Sequence, residues 1–182
     1  MVKFVCMSLA EYKLSSSTFT IYYGLHECPF GKCLIGIISK EKSICHLQFI
    51  DKYDSAQCVK EFKSDWPGAN FMEKIEETEK ILGKIFSSKN HDNISVFLKG
   101  TDFQINVWKA LTKIPRAEVV NYSYIAELIN NPKSIRAIAK VIGSNRVAYI
   151  IPCHRVISKS GPSKTCWRTD KRAPMLEYEK NI

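Results

Sequence analysis

The spacing of apolar residues changes character close to Lys99, and that change limits the fold more than any other feature of the chain. Before it lie short apolar runs of strand length: "FTIYYGL", "CLIGIIS", "ICHLQFI" and "ISVFLKG". The first is rich in β-branched and aromatic residues, and the polar "KEKS" between the second and third predicts a hairpin with a short loop. Two helices are expected among these runs. "DSAQCVKEFKSDW" opens on a capping Asp or Ser and stops at Pro67-Gly68. "NFMEKIEETEKILGKIFSSK" sets Phe71, Ile75, Leu82, Ile85 and Phe86 along one face with charges opposite, and "NHDN" breaks the pattern.

After Lys99 the spacing becomes helical. "TDFQINVWKALTKI" gathers Phe103, Val107, Ala110, Leu111 and Ile114 on one face until Pro115 ends it. "SYIAELI" is a short helix with Ser123 as N-cap and Ile125, Leu128 and Ile129 as its apolar side. "NNPK" turns the chain into "SIRAIAKVIGSN", with Ile135, Ile138 and Ile142 inward. Arg136 and Lys140 share another face, and Gly143 or Asn145 caps the end. The expectation is an α/β domain over residues 1–97 and a mostly helical domain over residues 98–182. Two short helices joined by a turn, the second with a basic outer face, have helix-turn-helix geometry. A plain helical hairpin has the same spacing.

Charge follows the same division. Residues 98–182 hold 15 Lys and Arg against 6 Asp and Glu, while residues 1–97 hold 12 of each, so the net +9 lies entirely in the second part. Such asymmetry points to a polyanion, most often nucleic acid, although a solvated basic surface gives it too. No apolar run is long enough to span a membrane, and "MVKFVCMSLAEYK" lacks the apolar core and cleavage pattern of a signal peptide. A soluble intracellular protein is expected, cytoplasmic or nuclear according to cell type, and nothing in the sequence suggests more than a monomer. Seven cysteines, an odd and scattered set, read as reduced thiols rather than a secreted disulfide scaffold.

Chemistry concentrates in "IIPCHRVISKSG". A cysteine after an apolar run is often a buried, inert one. Here Pro152 ends any regular element, His154 follows at once, and Arg155 adds a charge that favours thiolate. Neighbouring side chains point apart in extended backbone, so His154 is expected to reach Cys153 through a water. Asp170, Glu177 and Glu179 are the candidate carboxylates to orient the histidine.

"PCHRV" resembles the active-site signature of the O6-alkylguanine-DNA alkyltransferases. "GTDFQINVWKALTKIP" is similar to that family's helix before the DNA-binding unit. "NYSYIAELINNPKSIRAIAKVIGSN" resembles its helix-turn-helix, and "LHECPFGKCLIGI" resembles the first domain of Ada-type members. The resemblance implies a ribonuclease H-like first domain, with a small antiparallel sheet and helices, ahead of a helix-turn-helix domain. It implies a single-use DNA repair protein that flips O6-alkylguanine out of duplex DNA and takes the alkyl group onto Cys153. His154 would be the base acting through water, Glu179 its partner if one residue is deleted after Cys166, and Asn145 the brace of the turn. Arg136 would fill the space left by the flipped base. Tyr122 would rotate the target phosphate and help protonate the leaving guanine. Lys133 and Ser134 would join them on DNA. Tyr122, Ile142, Val156, Cys166 and Trp167 would line the guanine pocket.

After Gly161 the chain departs from the family pattern. Cys166 stands where a pocket tyrosine is usual, Trp167 follows, and Lys164, Arg168 and Thr169 replace small residues, which implies an altered pocket. Two other readings fit parts of the chain. Alkyltransferase-like lesion binders carry tryptophan where this chain has Cys153, and a helix-turn-helix regulator does not need Pro152, Cys153 and His154 together. No cofactor is expected. His26, Cys28, Cys33, Cys45 and His46 lie close in sequence, but Cys-x4-Cys is a poor zinc spacing, so core thiols are expected rather than a metal site.

Overall fold

The computed structural model describes residues 2–50, 54–87, 93–158 and 169–182, without the side chains of Thr169 and Asp170. The chain divides into two compact units, Met1–Gly100 and Thr101–Ile182.

The first unit holds six strands: β1 (Lys3–Met7), β2 (Thr20–Cys28), β3 (Gly31–Ile38), β4 (Ser43–Phe49), β5 (Asn70–Glu73) and β6 (Ser95–Lys99). They form one sheet in the order β1-β6-β4-β3-β2-β5. The expected antiparallel sheet is its centre, the meander β2-β3-β4, and parallel pairings of β1 and β4 with β6 and of β5 with β2 extend it. The expected hairpin is β3-β4. Helices α1 (Leu9–Ser15), α2 (Ser55–Ser64) and α3 (Ile75–Ser87) complete the unit.

β3 and β4 are buried nearly throughout because both sheet faces are covered. On one face Leu34 and Ile38 join Tyr12 of α1 and Cys58 and Phe62 of α2 in the core. A Cβ on Gly36 would come within 2.7 Å of the Phe62 ring, so that ring needs a glycine beneath it. On the other face α3 packs over β2 and β3, and His26 hydrogen-bonds Thr78 at 2.8 Å. The helix expected over "NFMEKIEETEKILGKIFSSK" is shorter than its pattern. Residues 70–73 are β5, paired with residues 20–23 of β2, and only from Ile75 does the chain turn helical. An edge of β2 open to pairing overrode a local preference, as tertiary context commonly does.

The second unit contains α4 (Asp102–Leu111), α5 (Tyr122–Leu128), α6 (Ile135–Gly143) and α7 (Thr169–Asn181), with a two-stranded parallel pair of β7 (Val120–Asn121) and β8 (Val156–Ile157). Thr101 and Gln104 form a capping box at the start of α4. The buried side of α4 is Ile105, Val107, Trp108, Ala110 and Leu111, so it takes in Ile105 and Trp108 while Phe103 is only half-buried. Trp108 Nε1 donates to Val141 O of α6 at 3.1 Å. The N-cap of α5 is Asn121, whose Oδ1 accepts from Tyr124 N at 3.0 Å. Ser123, expected in that role, lies inside the first turn and donates to Asn121 Oδ1 at 2.8 Å. α6 ends through Ser144, whose N–H reaches Lys140 O, rather than through Gly143 or Asn145. Among the described residues no helix is long and apolar enough to cross a membrane.

Candidate active site

The two short helices α5 and α6 pack on each other across residues 129–134. Ile138, Val141 and Ile142 are the buried side of α6. Ile135, expected inward, is 41% exposed. It is the first residue of α6 and adjoins Arg136, which with Lys133 and Lys140 is exposed. The Ser134 hydroxyl donates to Asn131 O at 2.7 Å.

After α6 the chain enters a buried turn. Asn145 is 1% exposed and braces it from within. Its Oδ1 accepts from Val147 N at 2.9 Å and its Nδ2 donates to Ile151 O at 2.9 Å. Main-chain bonds continue inside the brace, Ile151 N to Val147 O at 3.1 Å and Cys153 N to Ile151 O at 2.8 Å. Cys153–Arg155 form one turn of 3-10 helix, not extended chain, and all three side chains are buried. The β7-β8 pairing then sets Val156 against Val120 and Asn121 against Ile157. Tyr122, the residue after Asn121, therefore starts α5 beside the strand that leaves the cysteine turn.

Of the three candidate carboxylates, Glu179 is the one against His154. α7 contains Pro174 yet continues to Asn181, so Glu179 arrives on a helical turn. His154 Nε2 lies 2.7 Å from Glu179 Oε1. Arg155 also binds this carboxylate, with Nε 3.0 Å from Oε2 and Nη2 2.7 Å from Oε1, and its Nη1 donates to Ile114 O at 2.6 Å. A fourth donor is the Ala117 N–H, 2.8 Å from Oε2, where Ala117 takes a left-handed φ of 58°. Glu177 is an exposed partner of Lys180, and the Asp170 side chain lies outside the described residues. Arg155 was expected to bias Cys153 toward thiolate. Its guanidinium also pairs with Glu179, because a buried carboxylate needs a paired, hydrogen-bonded cation.

This arrangement determines where protons sit. Burial pushes the Glu179 carboxyl up, but the hydrogen bonds from His154 and Arg155 more than offset it and hold the group at about 2. Burial lowers the His154 pKa, outweighing the pull of Glu179. A neutral imidazole facing a carboxylate carries its proton on Nε2 and donates it there, which leaves Nδ1 as an acceptor. His154 Nδ1 is buried and has no hydrogen-bond partner among the described residues. The residue after Cys153 is therefore a neutral imidazole with a buried acceptor nitrogen.

Of the expected pocket residues, Ile142 and Val156 are buried and Tyr122 is half-buried. Cys166 and Trp167, with Lys164 and Arg168, lie outside the described residues. Sequence reasoning missed the Arg155–Glu179 pair, the Ala117 donor and Tyr149, which stacks on His154. No spacing rule links positions so far apart in the chain. Among the described residues no cluster of three or more His, Cys, Asp or Glu is placed to hold a metal ion, and His46 bonds Gln48 at 3.1 Å.

Comparison with known proteins gives the family of both domains. Residues 21–88 match the 6-O-methylguanine DNA methyltransferase ribonuclease-like domain, and residues 102–181 match the DNA binding domain of the same family. The Ada transcriptional activator and DNA repair enzyme of Escherichia coli is 30% identical over 95% of this chain, which spans about half (49%) of that protein. A methylated-DNA–protein-cysteine methyltransferase of Methanosarcina barkeri is 35% identical, over 78% of this chain and 85% of its own. The crystal structure of the Mycobacterium tuberculosis O6-methylguanine methyltransferase superposes with a TM-score of 0.68 at 27% identity, covering 88% of this chain and 93% of that one. With both domains matched in order and a relative covered over most of its length, the chain belongs to the 6-O-methylguanine DNA methyltransferase family.

Proposed function

We propose that this protein repairs DNA by moving the alkyl group of O6-alkylguanine onto Cys153, once per molecule. The observation that carries the reading is the state of His154, the residue after Cys153: Nε2 is held by Glu179, and Nδ1 is left as a buried acceptor. The Cys153 proton passes through a water to His154 Nδ1. The thiolate Sγ attacks the alkyl carbon, the S–C bond forms and the C–O6 bond breaks. The electron pair leaves with guanine, which Tyr122 helps to protonate. The product is a thioether, which thiol exchange does not reverse.

The exposed cations Lys133, Arg136 and Lys140 support duplex DNA as the partner. The alkyl carbon is hidden in the base stack, so the nucleotide has to be flipped out. Arg136 fills the gap, since a guanidinium both stacks on bases and meets phosphates.

The test is incubation with a duplex carrying O6-methylguanine, followed by intact mass and a peptide map. The expected result is a gain of one methylene on the Cys153 peptide, absent in Cys153→Ala. Tight, lesion-selective binding with no mass gain refutes transfer and leaves a lesion-binding protein. Equal affinity for damaged and undamaged duplex, again with no gain, leaves a DNA-binding regulator.

A further inference from the structure

His154 has a second neighbour besides Glu179. The Tyr149 ring, 1% exposed, lies parallel to the imidazole in an offset stack, with centroids 5.8 Å apart and planes 7° from parallel. Tyr178 meets Tyr149 edge-on, with centroids 6.3 Å apart at 68°. Tyr178 precedes Glu179 on α7, so one helical turn supplies both the carboxylate on the imidazole edge and the support behind the stacked ring.

The backbone at Tyr149 is unusual. Its φ is 68°, a left-handed conformation that bulky residues rarely adopt. Such a residue persists only where its surroundings over-determine it, and these residues gather at functional sites. Here the brace from Asn145 to Val147 and Ile151 closes around it. The histidine χ2 torsion has a broad energy well. One hydrogen bond at Nε2 leaves the imidazole free to rock about that bond, and a flat neighbour removes that freedom. The phenol is un-ionised, because burial pushes its pKa up to about 12 against the pull of Arg116. A neutral aromatic face is therefore what His154 meets.

We infer that Tyr149 is a positioning residue: its ring, held by Tyr178 and the Asn145-braced turn, fixes the imidazole plane so that Nε2 stays on Glu179 and Nδ1 stays available to the Cys153 proton. The inference rests on the base role proposed above for His154.

Two variants test it, Tyr149→Phe and Tyr149→Leu, with two measurements. The first is the single-turnover rate of methyl transfer to Cys153 from a saturating O6-methylguanine duplex. The second is the ring 15N spectrum of His154, assigned with His154→Gln, which requires no activity. Tyr149→Phe keeps the ring and is expected to match the parent in both. Tyr149→Leu is expected to slow transfer about tenfold or more, the scale of a misplaced reacting group. Its His154 nitrogens should move from a single Nε2–H tautomer toward an average of two. A leucine variant with the parent's rate and tautomer overturns the inference, even if its melting temperature falls. A phenylalanine variant as slow as leucine also overturns it, since the hydroxyl would then be what matters. If the unaltered protein transfers no methyl group, the function proposed above fails, and the nitrogen spectra of the two variants alone decide the role of Tyr149.

Discussion

Glu179→Gln isolates the charge at the centre of the site. The amide has nearly the shape of the carboxylate, so packing is preserved while the ion pair with Arg155 is lost. The Glu179 side chain is 0% exposed and that of Arg155 is 7% exposed, so solvent screens little of the interaction. The gap between about 2 in the fold and the ordinary value of 4.5 corresponds to about 3 kcal/mol, at 1.36 kcal/mol per pH unit. That agrees with the roughly 3–5 kcal/mol lost when one partner of a buried pair is removed. Because the folded value is depressed, this stability is fully present above about pH 4.5 and disappears as pH falls toward 2. Urea unfolding at pH 7, 5, 4 and 3, with hydrogen exchange over residues 114–121 and 150–157, gives the difference between parent and variant. It should be near 3 kcal/mol at pH 7 and shrink through pH 4 and 3. A difference under about 1 kcal/mol at pH 7, or one unchanged between pH 5 and 3, refutes the assignment of Glu179 as a buried ionised partner. The same variant should lose about 100-fold or more in transfer rate, since a glutamine can donate to Nε2 and move the imidazole proton onto Nδ1.

Three further outcomes follow from the same geometry. Because burial lowers the His154 pKa, the single-turnover rate should hold as pH drops through 6.5 and decline only below it; a midpoint at or above 6.5 counts against a buried neutral base. Asn121→Ala should cost about 1 kcal/mol of unfolding free energy and Ser123→Ala clearly less, since Asn121 caps α5; the reverse order contradicts the cap. Arg136→Ala should slow repair in duplex DNA far more than reaction with free O6-benzylguanine, and equal slowing removes Arg136 from base flipping.

Where the sequence was readable, the reason was local. The β3-β4 hairpin follows from two apolar runs and four polar residues. α4 follows from its apolar spacing. Where it misled, a distant partner decided. "NFME" has helical company but pairs with β2, and Ile135 has helical spacing but begins its helix at the surface. Asn121 and Ser123 are both good caps by type, and the start of α5 chose between them.

The sequence by itself determined the division near Lys99, the basic second part, the helix-turn-helix spacing and the Pro-Cys-His-Arg run, because each depends on residues within a few positions of one another. Spacing left three carboxylates open for His154, the family resemblance named Glu179 among them, and neither showed that Arg155 pairs with that carboxylate. Only the tertiary structure brought α7 against the cysteine turn and set Glu179, Arg155, Ala117 and Tyr149 around one imidazole. The physical reason is desolvation. Once that turn is buried, every charge and polar edge in it has to find its partner in space, and those partners lie up to 62 positions away along the chain.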